Sequence, residues 1–120
     1  LPFHPNAMPA AEAAREVLAQ GGPAKFWAYH DLLFQNQSAL ERPTLERLAQ
    51  QVGGIDMARF RQALDSHRHQ AAVQADVAAI QTAGINQFGT PTSFINGRML
   101  SGAVPFDAFK TAIDAALAAH

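Results

Sequence analysis

The segment Gly89-Thr90-Pro91-Thr92 has the residue types and spacing that best suit binding chemistry. Proline cannot donate a main-chain hydrogen bond, so a proline at the mouth of a strand belongs at a sheet edge or in a special turn. Two structures fit these residues: an ordinary trans proline that starts a strand, and a cis-proline loop that presents the Thr90 backbone to a bound peptide. In the second case Thr90 and Pro91 are candidate substrate-binding residues.

The chain has few residues that could carry out redox or acid–base catalysis. The 120 residues include no cysteine, which excludes disulfides, thiolate metal sites and a cysteine nucleophile carried by the chain itself. There is no glycine-rich phosphate loop. We expect no catalytic residue, no metal and no cofactor here. Five of the aspartates are spread singly and form no paired dyad: Asp56, Asp65, Asp76, Asp107 and Asp114.

The histidines are predicted to be structural rather than metal-binding. His67 and His69 are two residues apart on a predicted helix, where side chains at i and i+2 do not face each other, so both are predicted as solvated surface. His30 lies on an apolar helix face and is predicted as a core or boundary residue. We assign His4 to packing, and we expect the terminal His120 to be frayed.

Composition and charge narrow the class of protein. Hydrophobic residues make up 48% of the chain and charged residues 16%, so the chain can bury a core and disorder is not expected. The formal net charge of −1 argues against a nucleic-acid binder, which needs a cationic face. No apolar run approaches the ~18 residues of a membrane span. We predict a folded domain with no nucleic-acid partner and no membrane span.

Apolar periodicity and turn residues predict about six helices and one hairpin. Asp56 is predicted to cap one of these helices, because its side chain can accept hydrogen bonds from the first turn. The predicted helices run from Ala7 to Gly21-Gly22, from Pro23 past Phe34, from Pro43 to Gly53-Gly54, from Asp56, from about Ser66 to Ala83, and from Pro105.

Two predicted helices carry wide apolar faces. Phe26, Trp27 and Phe34 could line a ligand groove, but the core of a helical domain explains them more simply. In the last helix the apolar residues share one predicted face: Phe106, Phe109, Ile113, Ala116 and Leu117.

The hairpin predicted around Asn96-Gly97 is the only β-structure that the pattern indicates. Strands Thr92–Ile95 and Arg98–Leu100 flank this pair, and Asn-Gly favours a type I′ turn. A two-stranded hairpin is marginal in water, so this one must lie on helices or on strands from outside the chain. We therefore predict an incomplete sheet, through which copies of the chain self-associate.

These segments together resemble the DsbA-like thiol-disulfide oxidoreductases of the thioredoxin superfamily. The resemblance is most specific at the loop and hairpin, where it implies a cis Thr90–Pro91 bond. It also covers other segments in the family's order: Leu1–Ala7 with Ala10-Ala11, Phe26-Trp27 with His30-Asp31 and Leu33-Phe34, Val73–Asp76 leading to Gly84-Ile85, and Val104–Phe106 through Leu117.

The resemblance implies a mostly α fold with a small β-hairpin. Residues 1–84 would be the family's helical insertion with its preceding strand tail, and residues 85–120 the C-terminal part of a thioredoxin-like α/β fold. In the family the redox Cys-x-x-Cys lies upstream of the position that matches Leu1. Because the sequence starts with Leu1 rather than Met, we expect an excised fragment that lacks this unit.

The resemblance implies a parent protein that carries out dithiol–disulfide exchange on extracytoplasmic proteins, in the periplasm or a similar compartment. Its partners would be protein or peptide thiols and disulfides, and this piece would be structural and substrate-binding only. Two alternatives remain open. One is a redox-silent peptide-binding module, and the other is a glutathione-dependent isomerase or transferase relative with the same helical insertion.

Overall fold

The computed structural model describes residues 4–85 and 89–119. In these ranges the chain is mostly helical with one two-stranded antiparallel hairpin, as predicted. The predicted extended start at residues 1–3, residue Phe88 and the predicted fraying of His120 lie outside the described residues. The elements are α1 (Ala7–Gln35), α2 (Arg42–Val52), α3 (Met57–Asp65), α4 (Gln70–Thr82), β1 (Thr92–Ile95), β2 (Arg98–Ser101) and α5 (Phe106–Ala118).

The chain divides into two compact units, one up to Ala79 and one from Ile80 onward. The division falls inside α4. The boundary predicted between residues 84 and 85 lies a little further along the chain and stays a prediction. No helix within the described ranges has the length and apolar character needed to cross a membrane.

Helix α1 is bent at Gly22, where the sequence predicts one helix to end and another to begin. Gly22 has φ 74° and ψ −174°, and Pro23 follows it. Glycine adopts such a positive φ at little cost, and proline is suited to the start of the next helical segment. The two predicted helices are therefore the two arms of α1.

The first unit has a closed core in which both arms of α1 pack on α2 and α3. The hydroxyl of Tyr29 donates to the carbonyl oxygen of Leu45 at 3.0 Å, and its ring meets Phe60 edge-on at 6.4 Å. Burial raises the pKa of the Tyr29 hydroxyl well above its usual range. The largest fully buried side chains are Tyr29, Phe60, Leu45, Leu48, Glu16 and Val17.

Helices α2 and α3 begin where the sequence predicts. Pro43 lies in the first turn of α2, where its missing N–H costs nothing. The carboxylate of Asp56 accepts hydrogen bonds from the N–H groups of Ala58 and Arg59 at 3.0 and 3.1 Å. The predicted N-cap at Asp56 is confirmed.

Helix α4 begins later than predicted. The residues from Ser66 to His69 form a turn, and the helix starts at Gln70. His67 has φ 52°, a left-handed conformation that no helix interior contains. Periodicity could not show this turn, because the turn is held by contacts with α1 that are distant in sequence.

Trp27 and Phe34 are not core residues, so that prediction was wrong. Trp27 is 58% exposed and Phe34 is 63% exposed. Tyr29, on another side of the same helix, is fully buried in the core with Phe60. Phe26 packs against the edge of that core.

The second unit contains the predicted hairpin and the last helix. Strand β1 pairs with β2 in a register that joins Ile95 to Arg98 and Thr92 to Ser101. The turn residues Asn96 and Gly97 have φ of 46° and 83°, as a type I′ turn requires.

Helix α5 packs against β1 with only part of its apolar face. Ala112 is its one buried residue. Phe106 is 77% exposed and Leu117 is 69% exposed. The predicted apolar face of α5 is therefore present, but in the described part of the chain the short hairpin covers only some of it.

Candidate functional site

The candidate loop is held from both ends by hydrogen bonds. The Thr90–Pro91 peptide bond is cis. The N–H of Gly102 donates to the carbonyl oxygen of Pro91 at 2.9 Å, and the hydroxyl of Thr92 donates to the carbonyl oxygen of Gly89 at 2.6 Å. The loop is thus fixed to the start of β1 and to the end of β2.

The Pro91–Gly102 bond also sets which backbone groups of β1 face away from β2. In an antiparallel ladder, pairs that exchange hydrogen bonds alternate with pairs that do not. A bonded pair at Pro91 and Gly102 makes the pair at Thr92 and Ser101 a non-bonded one. The N–H and C=O groups of Thr92, and two residues later those of Phe94, therefore point to the outer edge of the hairpin.

Thr90 lies between the two anchors of the loop. Gly89, Thr90 and Pro91 are all exposed. Among the described residues, the bonds that hold the loop use the carbonyl groups on either side and leave the N–H and C=O of Thr90 unused. An extended peptide can pair with such groups as an added strand does.

A groove in the first unit is a second candidate binding site. This groove has a volume of about 630 Å³ and an alanine-rich floor on α1. His30 borders it, with its ring centroid 4.7 Å from that of Phe34 and 5.0 Å from that of Trp27. Its Nδ1 lies 3.1 Å from a carboxylate oxygen of Asp31. His30 is thus a boundary residue, and His4 also lines the groove.

Two buried glutamates in the first unit were missed by the sequence reasoning. Glu12 and Glu16 are buried on α1. His69 Nε2 lies 2.6 Å from a carboxylate oxygen of Glu16, and His67 Nδ1 lies 3.4 Å from one of Glu12. Gln20 donates to the other oxygen of Glu16 at 2.7 Å.

The prediction that both histidines are solvated surface was wrong for His69, whose side chain is only 17% exposed. His67 stays largely exposed. The turn before α4 directs the rings of His67 and His69 toward α1. On a continuous helix, residues two apart would point in different directions. The four-residue spacing of Glu12 and Glu16 among alanines was the available signal, since it places both carboxylates on the apolar face.

The described ranges contain no metal-binding site. No group of three or more histidine, aspartate or glutamate side chains there is arranged to hold a metal ion. The described part of the chain thus offers a backbone-presenting loop, an apolar groove and a pair of histidine–carboxylate contacts.

A loop fixed at the start of a hairpin, with a helix packed against that hairpin, is consistent with part of a thioredoxin-like domain. A family model described as thioredoxin matches residues 1–115. The chain belongs to this thioredoxin family.

Several curated relatives resemble the chain along most of its length. It is 37% identical over 115 residues to a protein of Salinispora tropica named Na(+)/H(+) antiporter NhaA 3, covering 96% of the chain and 17% of the relative. It is 38% identical over 102 residues to the Na(+)/H(+) antiporter NhaA of Herminiimonas arsenicoxydans, covering 85% and 16%. The chain thus spans about one sixth of the length of these relatives. No solved structure matches it significantly.

Proposed function

We propose that the chain is the substrate-binding part of a DsbA-like thiol-disulfide oxidoreductase. The loop at Thr90 and Pro91 would bind the backbone of a protein substrate next to its reactive sulfur. Family membership supports the thioredoxin-like part of this proposal. The observation that supports the finer part is the exposed peptide unit of Thr90 at the mouth of β1, whose N–H and C=O make no hydrogen bond with the described residues.

The chemistry of the proposed parent needs a dithiol that this chain does not carry, since it has no cysteine. A thiolate on another segment would attack one sulfur of a substrate disulfide, form a mixed disulfide and release the other sulfur as a thiolate. The second thiol would then displace the substrate, leaving it reduced and the parent's pair oxidised. Oxidation of a substrate is the reverse sequence. The loop would hold the substrate strand during both steps.

The antiporter name of the relatives carries no weight for this segment. The matched part is about one sixth of each relative, and the name describes the whole protein. An extracytoplasmic location follows from the proposed activity, because protein disulfides form and persist in oxidising compartments.

Peptide binding by the chain tests the role of the loop. The probe is an extended peptide of apolar residues around one S-methylcysteine, titrated into the isotopically labelled chain and followed by amide chemical shifts. We expect shifts centred on Gly89, Thr90 and Thr92. Thr90→Pro removes the Thr90 N–H and should weaken binding by about tenfold, the effect of one lost hydrogen bond.

Thr90→Ser is the matched control, because it keeps the main-chain donor and changes only the side chain. Its affinity should stay within about twofold of the original, since a main-chain contact is indifferent to the side chain. Shifts that centre on the groove beside His30, or equal loss in both variants, would contradict backbone recognition at this loop. Saturable shifts with glutathione and none with the peptide would favour the glutathione-dependent class instead.

A redox-silent peptide-binding module is the second candidate, since the exposed loop at Thr90 can bind a peptide backbone without any thiol. The two candidates share the loop and differ in the rest of the protein. Disulfide exchange by the complete protein, measured on a reduced and unfolded substrate protein, separates them. Exchange that Thr90→Pro slows would support the oxidoreductase, and peptide binding without exchange would support the silent module.

A further inference from the structure

We propose that a small recess at the end of α3 binds a single phosphate monoester group. The recess has a volume of about 160 Å³. It belongs entirely to the first unit, so the inference does not depend on the candidate loop or on the proposed redox function. Its lining residues lie on α3 and on the turn before α4: Arg59, Gln62, Ala63, Ser66 and Arg68.

Arg59 and Arg68 give the recess a positive charge that no carboxylate balances. In the described ranges neither side chain forms an ion pair, and no carboxylate lines the recess. Two guanidinium groups without such a partner favour the binding of an anion. Three other arginines of the first unit do pair with a carboxylate: Arg15 with Asp76, Arg42 with Asp65, and Arg61 with Glu46.

The main chain of the recess also permits an anion. A helix normally ends with unpaired carbonyl oxygens, whose partial negative charge would oppose an anion. At the end of α3, three of these oxygens already accept hydrogen bonds and are not free to repel a ligand oxygen. The acceptors and their N–H donors are Gln62 with Ser66, Ala63 with Arg68, and Leu64 with His67, at 3.0, 3.0 and 3.2 Å.

The side chains of the recess offer donors that match a phosphate group. Each guanidinium can donate two parallel hydrogen bonds to a pair of phosphate oxygens. The Ser66 hydroxyl makes only a long contact of 3.4 Å with the carbonyl oxygen of Ala63, so it can turn to a ligand oxygen instead. The Gln62 amide can add a further donor. Together these groups exceed the about four acceptor sites of a carboxylate, which favours phosphate.

The size of the recess limits the ligand to one such group. Pockets that enclose a drug-sized molecule have volumes of about 300–1,000 Å³, whereas this recess has about 160 Å³. The rest of a phosphorylated molecule would therefore stay in solvent. The recess would recognise the phosphate of a small soluble molecule and that of a lipid headgroup in the same way.

Amide chemical shifts of the isotopically labelled 120-residue chain test the proposal. The probe is inorganic phosphate, which replaces chloride at constant ionic strength so that general screening stays the same. We expect saturable shifts centred on the amides of Gln62, Ser66 and Arg68. Shifts that stay linear in phosphate, or that spread evenly over the arginines of the chain, would overturn the proposal.

Removal of one guanidinium at a time identifies the binding residues. Arg59→Gln and Arg68→Gln should each raise the dissociation constant at least about tenfold, because each removes charge-assisted hydrogen bonds. Both side chains are exposed, so the variants are compatible with folding, which circular dichroism verifies.

Arg47→Gln is the matched control, since it removes the same charge from an exposed arginine of α2 that does not line the recess. It should leave the dissociation constant within about twofold. An equal loss of affinity in all three variants would show that net charge alone controls binding, and would overturn the site.

Two further probes distinguish the source of the phosphate. Glycerol phosphate represents a soluble monoester, and co-sedimentation with phosphatidylcholine vesicles that contain phosphatidic acid represents a lipid. Binding of either probe that Arg68→Gln weakens and Arg47→Gln does not would support the site, and the bound probe identifies the source. Failure of both probes to bind, with inorganic phosphate alone bound, would overturn the recognition of a monoester.

Discussion

The two units of this chain bury their apolar residues to very different extents. In the first unit, Tyr29 and Phe60 are fully buried and a set of aliphatic side chains surrounds them. In the second unit Ala112 is the only buried hydrophobic residue described, and large residues such as Phe106 are exposed. Both units have comparable apolar patterns, so the pattern alone does not decide burial. What decides it is whether a facing element is present.

Removal of a core side chain should give the largest effect and confine it to the first unit. Phe60→Ala should lower the free energy of unfolding by about 3–5 kcal/mol, because it removes a fully buried ring and leaves a cavity. Urea titration followed by far-UV circular dichroism measures the change. Phe106→Ala is the matched control and should cost less than about 0.5 kcal/mol, since Phe106 is exposed. Equal losses would contradict the contrast between the units.

The contact of His69 with Glu16 should give the next largest effect. His69→Ala should lower the free energy of unfolding by about 2 kcal/mol, because it leaves a buried carboxylate oxygen without its partner. Thermal and urea unfolding at neutral pH measure this loss. His67→Ala, at the exposed end of the same turn, should cost less than about 1 kcal/mol. If His67→Ala lowered the free energy of unfolding more than His69→Ala did, the contact of His67 with Glu12 would be the stronger one, contrary to this prediction.

Loss of the α3 cap should have a smaller effect on the first unit. Asp56→Ala removes the acceptor of two N–H groups and should cost about 1 kcal/mol, measured by urea titration. Asp56→Asn keeps an acceptor at the same place and should recover most of the stability. No difference between the two variants would mean that the cap contributes nothing to folding.

The smallest effect concerns Glu46 and depends on pH. The hydrogen bond from Arg61 lowers the pKa of the Glu46 carboxyl, and the bond from Arg42 acts in the same direction. A carboxyl with a lowered pKa stabilises the fold above its unfolded pKa of about 4.3. This stabilisation is lost as the pH falls through the folded pKa.

Glu46→Gln should therefore cost about 0.5–1 kcal/mol at neutral pH, and the difference from the original chain should shrink in acid. Urea titrations at several pH values measure both quantities. Glu41→Gln is the control, because the side chain of Glu41 makes no ion pair among the described residues. A difference for Glu46 that is constant with pH would contradict the role of its charge.

Local signals in the sequence predicted local structure well. Asn96-Gly97 predicted the turn, Asp56 the start of α3, and Gly22 with Pro23 the bend of α1, because each acts on backbone within a few residues. The thioredoxin-like class was also accessible, since the loop and hairpin carry a recognisable pattern. The peptide-binding role of Thr90 and Pro91 stays a prediction.

Features that depend on distant partners could not be predicted. The spacing of His67 and His69 on a predicted helix assigned His69 to the surface. Its partner Glu16 is far away in sequence, and a positive φ at His67 interrupts the expected helix. Trp27 and Leu117 were placed on buried faces by periodicity, which shows that a face is apolar but not what covers it. The sequence could therefore indicate candidate faces, and only the packing showed which were filled.

The backbone conformation at residue 22, and not a lack of room for a side chain, restricts which residues this position of α1 can hold. No atom lies within 4 Å of the point where a Cβ on Gly22 would stand, yet its φ is 74°. An L-alanine there would be strained by about 1–3 kcal/mol, while a D-alanine has its preferred conformation in this region. A D-alanine introduced by chemical ligation should therefore leave the first unit more stable than an L-alanine does, and urea titration of the two variants measures the difference. The bend of α1 thus requires at position 22 a residue without the L-configured side chain that the non-glycine amino acids of the chain carry.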